Sequence, residues 1–169
     1  GDFAPLPGVP NSHGYVYSEA NGISGGKAPL SSQAPMIFLR DDQPVLAVGA
    51  AGGPRIISTV FQVILNIIEH GLNAQLALDA PRIHTQDQST VFVEEGISPD
   101  TIAILREKGF PIKVLDGHLA SYAHVLRLTD QGTFQGGGEP RIHGAATALL
   151  DNNVALTGGK QIQVFSLNN

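Results

Sequence analysis

The chain has 169 residues, 42% of them apolar and 15% charged, with a net charge of −5 and a pI near 5.6. That is enough chain for one domain with a real core, and it lacks the concentrated positive charge that a nucleic-acid partner demands. Cysteine is absent, which excludes disulfides, thiol nucleophiles and thiolate-bound metals together, and no apolar run reaches the ~20 residues of a membrane span.

Residues 1–34 are rich in glycine and proline and predict turns or a long ordered loop. The opening GDFAPLPGVPN reads more like the interior of a longer protein than a beginning. Pro35–Arg40 and Val45–Ala50, separated by the turn DDQP, predict a hairpin. Arg55–His70 predicts the longest helix, opened by Pro54 at its first position and closed at Gly71. Its apolar residues occupy most of the circumference, which predicts burial on more than one face.

Asn73–Pro81 predicts a short helix capped by Asn73 and stopped by Pro81. Arg82–Thr85 and Val91–Glu95 read as strands. Ser98–Gly109 predicts a helix with Ser98 as cap, Pro99 at its first position and Gly109 at its end. Strand-like runs and turns follow: PIKVL, YAHVLRLT, TFQGG, GAATALL, VALTG and QIQVFSL. Helices mixed with hairpins predict an α+β fold with a largely antiparallel sheet, formed by residues 1–169 as one domain.

Several stretches carry candidate chemistry. GAAGGPR (Gly49–Arg55) lies between a strand and a long helix, where glycines and helix-start amides offer an anion or oxyanion site; a tight strand-to-helix turn reads equally well. SGGKAPLSS (Ser24–Ser32) misses the phosphate-loop pattern at Asn21 and Ala28, which leaves Lys27 as a solvated loop lysine. The six histidines lack metal-site spacing and read as ordinary surface or core residues, with no metal expected. Glu94 and Glu95 point to opposite sides of a strand and read as a solvated strand end. Ser31 and Ser32 lack the nucleophile-elbow pattern. Between Pro29 and Pro35 they are better suited to donate to a carboxylate or phosphate from a stiffened segment.

Taken together, DF with PGVPN, EAN followed by GK and PLSS, GG-x-RI opening a helix, APR-x-H, VEEG-x-SPDT and a late PR form one ordered set. This set resembles the small, C-terminal subunit of γ-glutamyltranspeptidase, an N-terminal-nucleophile hydrolase, from Asp2 to about Ala148. The resemblance implies part of a four-layer αββα sandwich and an enzyme that cleaves γ-glutamyl amides, passing the acyl group to water or to an amino acid or peptide. It implies that Asp2 binds the substrate α-amino group, that Ser31 and Ser32 hydrogen-bond its α-carboxylate, and that Gly52 and Gly53 form the oxyanion hole with their amides. It implies no cofactor, and an extracytoplasmic setting, periplasmic or extracellular.

The family's nucleophile is an N-terminal threonine, expected upstream of Gly1, so this chain alone is expected to be inactive. The partners implied are a large subunit and the threonine-bearing segment. Departures from the pattern are Gly1 for an acid, Gln33 for methionine, Ala50 and Ala51 for Ser-Pro, Ala120 for glycine and Glu139 for aspartate. Two other functions fit the same resemblance: a branch acting on other amides, as acylases or poly-γ-glutamate enzymes do, and a non-catalytic protein that binds a γ-glutamyl or amino-acid ligand.

Overall fold

The computed structural model describes residues 3–4, 6–11, 13–86, 90–150, 153–156 and 162–164. In chain order its elements are a 3-10 turn at Glu19–Asn21, β1 (Met36–Arg40), β2 (Gln43–Ala51), α1 (Arg55–Ile68), α2 (Ala74–Asp79), β3 (Ile83–Thr85) and β4 (Val91–Val93). Then come α3 (Pro99–Glu107), β5 (Ile112–Val114), β6 (Tyr122–Leu128), β7 (Phe134–Gly137), a 3-10 turn at Pro140–Ile142, β8 (Thr147–Leu150), β9 (Asn153–Leu156) and β10 (Ile162–Val164). The mixture is α+β, as the sequence predicts.

The β1–β2 hairpin turns on Asp41 and Asp42 alone, both at positive φ (51° and 61°). Two such residues twist the chain in the sense that paired strands require, and short polar side chains tolerate that region best. Gln43 and Pro44, expected in the turn, pair with Arg40 and Leu39 instead. From this hairpin the main sheet continues in the order β1-β2-β6-β7-β10, every neighbouring pair antiparallel. A second sheet, β3-β4-β5, holds the one parallel pair among the described residues, β4 with β5, joined through α3.

Local signals start the helices where expected. Asn73 accepts from the Leu76 N–H at 2.9 Å, and Ser98 accepts from the Thr101 N–H at 3.2 Å, each satisfying a donor with no partner inside its helix. One face of α1 (Ile56, Val60, Val63, Ile64, Ile67) packs with Ala74, Ala77 and Leu78 of α2 onto Leu46, Val48, Ala123 and Val125 of the sheet. Contrary to the sequence expectation, α1 is buried on that face only: Ile57, Phe61 and Ile68 are exposed. An apolar circumference reports what a helix can bury, while the neighbours decide what it does bury.

The far side of the sheet is apolar as well. Successive residues of a strand face opposite sides. With Leu46, Val48, Ala123 and Val125 turned to the helices, Ile37, Ala47 and Leu126 turn away, and Ile37 and Leu126 are exposed.

Beneath α2, four charged side chains are buried together. Glu139 is fully buried and accepts from Arg82 Nη2 at 3.0 Å, Arg141 Nη1 at 2.8 Å and the Ala123 N–H at 2.7 Å. Glu94 accepts from Arg141 Nη2 at 2.5 Å, the Arg82 N–H at 2.9 Å and the Leu119 N–H at 2.8 Å. The solvated role expected for Glu94 is therefore wrong, whereas Glu95 is exposed. The reason is that the distant Arg141 guanidinium and two backbone amides converge on a strand end that local sequence leaves open.

Burial by itself pushes both carboxyls up, but the arginine bonds, the positive charge and the backbone N–H groups outweigh it and hold both below the usual glutamate range. Arg141 is raised: burial lowers it, and its bonds to both glutamates outweigh that. Arg82 is lowered by burial first and by the nearby Arg141 charge second.

Glu139→Ala removes one partner of a buried cluster and is expected to lower the unfolding free energy of the complete protein by about 3–5 kcal/mol. Because the native glutamates titrate below their unfolded value, their contribution is complete above pH ~4.5 and is lost as pH falls through the lowered native values. The gap between variant and parent in denaturant melts should therefore shrink from pH 7 to pH 3. An equal gap at both pH values would locate the loss elsewhere. Residues 1–169 produced alone are expected to bind a hydrophobic dye and self-associate through the exposed sheet face; a monomer that melts cooperatively without binding dye contradicts this.

Candidate active site

Two segments that are separate in sequence meet at one cleft. The first carries Ser31 and Ser32, in the irregular segment between Pro29 and β1. It is tied back by the Leu30 N–H, which donates to Asn21 Oδ1 at 2.9 Å. The Ser31 hydroxyl oxygen accepts from the Gln33 N–H at 3.2 Å, which fixes the oxygen and leaves its proton to donate outward.

The second segment is the turn from β2 into α1. Gly52 has φ 141° and Gly53 φ 59°, and both belong to the left-handed half of backbone space that glycine enters without strain. Space is as demanding as φ at Gly52: a Cβ there would lie 2.7 Å from the Ala120 carbonyl oxygen and from Ser121. The Gly52 and Gly53 carbonyls accept from the N–H groups of Arg55 and Ile56 at 3.3 and 3.1 Å, so the turn runs directly into the first turn of α1. The backbone curls around the positive end of that helix, where a developing negative charge is stabilised.

The cleft has a volume of about 560 Å³, within the range of small-molecule sites. Ser31, Ser32 and Gly53 line it together with the loop residues His13, Tyr15 and Tyr17. Gly52 is adjacent in the chain to a lining residue. Asp2 lies outside the described residues. Two segments distant in sequence thus bring both serines and one of the two glycines to a common space, with the loop of His13, Tyr15 and Tyr17 as a further wall.

The three loop residues were missed by sequence reasoning. Their signal was local: Asn11 Oδ1 accepts from the N–H groups of His13 and Tyr15 at 2.9 and 3.0 Å, an Asx-type turn that P-N sequences favour. The alternation Tyr15-x-Tyr17 then puts both rings on one side of extended chain, stacked with centroids 6.4 Å apart.

Other candidates resolve as ordinary structure. Lys27 is exposed, its Nζ donating to the Gly22 carbonyl at 3.3 Å. Among the described residues no group of metal-ligating side chains converges. His84 is a buried core histidine with Nδ1 2.9 Å from Ser58 Oγ. Burial first, and the positive charge of Arg55 second, pull it below its ordinary value.

Comparison with known proteins gives a consistent result. A family model described as gamma-glutamyltranspeptidase matches residues 1–149. The glutathione hydrolase proenzyme of Escherichia coli (strain K12) is 40% identical over 141 residues, covering 83% of this chain and 24% of that protein. The chain therefore spans about a quarter of the length of such curated relatives. The crystal structure of the T380A mutant of Helicobacter pylori gamma-glutamyltranspeptidase superposes with a TM-score of 0.73 at 35% identity, covering 82% of this chain and 76% of that one. The Pseudomonas nitroreducens gamma-glutamyltranspeptidase complexed with L-DON gives 0.74 at 29% identity, covering 88% and 78%.

Gly52→Ala is expected to destabilise the complete protein by about 1–3 kcal/mol from its backbone conformation alone, with the contact to Ala120 and Ser121 adding to that. Denaturant unfolding of the variant measures the cost, and parental stability would contradict the tight turn.

Proposed function

The chain belongs to the γ-glutamyltranspeptidase family, and from that premise we propose that its cleft holds the glutamyl end of γ-glutamyl amides in an acyl-transfer enzyme. The observation that carries the reading is the convergence of Ser31, Ser32 and Gly53 on one cleft. It supports the reading because two hydroxyls share a space with the glycine turn.

In this reading Ser31 and Ser32 donate to the substrate α-carboxylate. Donation to an ionised acceptor is stronger than to a neutral one, and the stiff segment limits the entropy lost on binding. Asp2 accepts from the α-ammonium group. With both ends of the amino-acid moiety held, the γ-carbonyl is directed to the Gly52–Gly53 turn, whose amides take the negative charge of the tetrahedral intermediate.

The nucleophile in this scheme is a threonine hydroxyl supplied by another part of the complete protein, with its own α-amine as base. It adds to the γ-carbonyl and the C–N bond breaks. The leaving amine takes the proton, and a γ-glutamyl ester remains on threonine. Water or an amino-acid amine then attacks that ester and regenerates the hydroxyl. Ser31 and Ser32 orient the substrate throughout and form no covalent bond. For the partners we propose that the rest of the protein covers the apolar face bearing Ile37 and Leu126.

The test is release of p-nitroaniline from γ-glutamyl-p-nitroanilide by the complete, processed protein. The Ser31→Ala/Ser32→Ala double variant is expected to raise KM by about a hundredfold or more, since each hydrogen bond to a charged group contributes about 1.5–3 kcal/mol. No release from a correctly processed parent would sink the reading. Release from simple acyl anilides but not from the γ-glutamyl compound would move it to the branch acting on other amides.

A further inference from the structure

The loop wall of the cleft is tied to the segment after β3 by a side chain. The Gln86 side-chain amide donates to the His13 carbonyl, across 73 positions of sequence, and the same nitrogen lies 3.8 Å from where a Cβ on Gly14 would stand. The other side of the loop tip faces the glycine turn, with His13 Nε2 3.2 Å from the Cβ position of Gly53. The His13 ring therefore sits between the grip of Gln86 and the turn proposed as the oxyanion site.

Gln86 follows β3, and β3 is held to α1 by side chains. Gln62 donates to the Ile83 carbonyl at 2.8 Å and accepts from the Ile83 N–H at 2.9 Å. Ser58 donates to the Arg55 carbonyl at 3.1 Å. The same hydroxyl lies 2.9 Å from His84 Nδ1 on β3. One α1 turn thus fixes β3 twice, and β3 delivers Gln86 to the loop.

We infer that Gln86 is a positioning residue for the cleft: seated by β3 on α1, it holds the His13 loop so that the imidazole forms a roof over Gly53. This rests on the γ-glutamyl reading for its consequence in catalysis, and on contacts alone for its consequence in the loop. The loop lines the cleft with the serines, so releasing it loosens the hold on substrate and leaves the reacting groups in place. Gln86 touches no substrate in this scheme and acts through His13.

The test uses the complete, processed protein. Gln86→Met keeps the length of the side chain and removes the donor. With γ-glutamyl-p-nitroanilide it is expected to raise KM about two- to tenfold, the range set by one net hydrogen bond, with kcat within about twofold. His13→Ala removes the roof while leaving the backbone carbonyl for Gln86. In that background Gln86→Met is expected to have little further effect on KM. Additive effects, or equal losses in kcat, would mean that Gln86 serves only general stability and would overturn the inference.

Hydrogen exchange gives a readout that does not depend on activity. Gln86→Met should speed exchange in peptides covering residues 6–17 and 50–58 while α3 stays unchanged. Unchanged exchange in both peptides overturns the inference even if the parent proves active. Faster exchange with an inactive parent sustains it while the γ-glutamyl reading fails.

Discussion

The paired glutamates and arginines beneath α2 join the parts of the molecule that hydrophobic packing alone would leave separable. Arg82 precedes β3, Glu94 follows β4, and Glu139 and Arg141 follow β7, so the cluster ties the small sheet to the large one. Burying four charges is unfavourable unless each is paired and its remaining hydrogen-bonding positions are filled. Both carboxylates and Arg141 meet that condition through arginine forks and backbone amides, which also set the geometry, while Arg82 keeps its Nε buried without a partner among the described residues. A carboxylate that accepts from Arg82, Arg141 and the Ala123 N–H at once has little freedom to move.

The cluster reaches the candidate site through Ser121. Arg82 Nη1 donates to the Ser121 carbonyl at 3.1 Å, and the Ser121 hydroxyl donates to the Ala51 carbonyl at 3.1 Å. Gly52, next in the chain, stands where a Cβ would press into Ala120 and Ser121. The start of β6 is thus a fixed wall against which the glycine turn is folded, and the buried charges fix that wall. A site that must hold amides in one orientation gains from such support, because an ångström of freedom there weakens a hydrogen bond to a transient charge.

Much of this was legible in the sequence where the cause is local. Asn73 and Ser98 cap helices because their side chains reach amides three residues on, and the two aspartates turn the first hairpin by their own backbone preference. The serine pair and the glycine turn stand out locally, by flanking prolines and a strand-to-helix glycine step, and Ser31, Ser32 and Gly53 line one cleft. What failed was long-range. From the sequence Glu94 reads as solvated because its partners lie at Arg82, Leu119 and Arg141, and the residues between carry no mark of that meeting. His13 and Gln86 were passed over for the same reason. The one-sided burial of α1 was misjudged because an apolar surface does not state how many neighbours it has.

By itself the sequence determined most of the elements and the capped starts of α2 and α3, because those properties depend on groups a few bonds or one helical turn apart. Only the tertiary structure decided which groups share a space: two serines with a glycine turn, a histidine over that turn, four charges in one core. Those meetings depend on chain closure across tens of residues, where the free energy comes from the packed whole and no single segment encodes it.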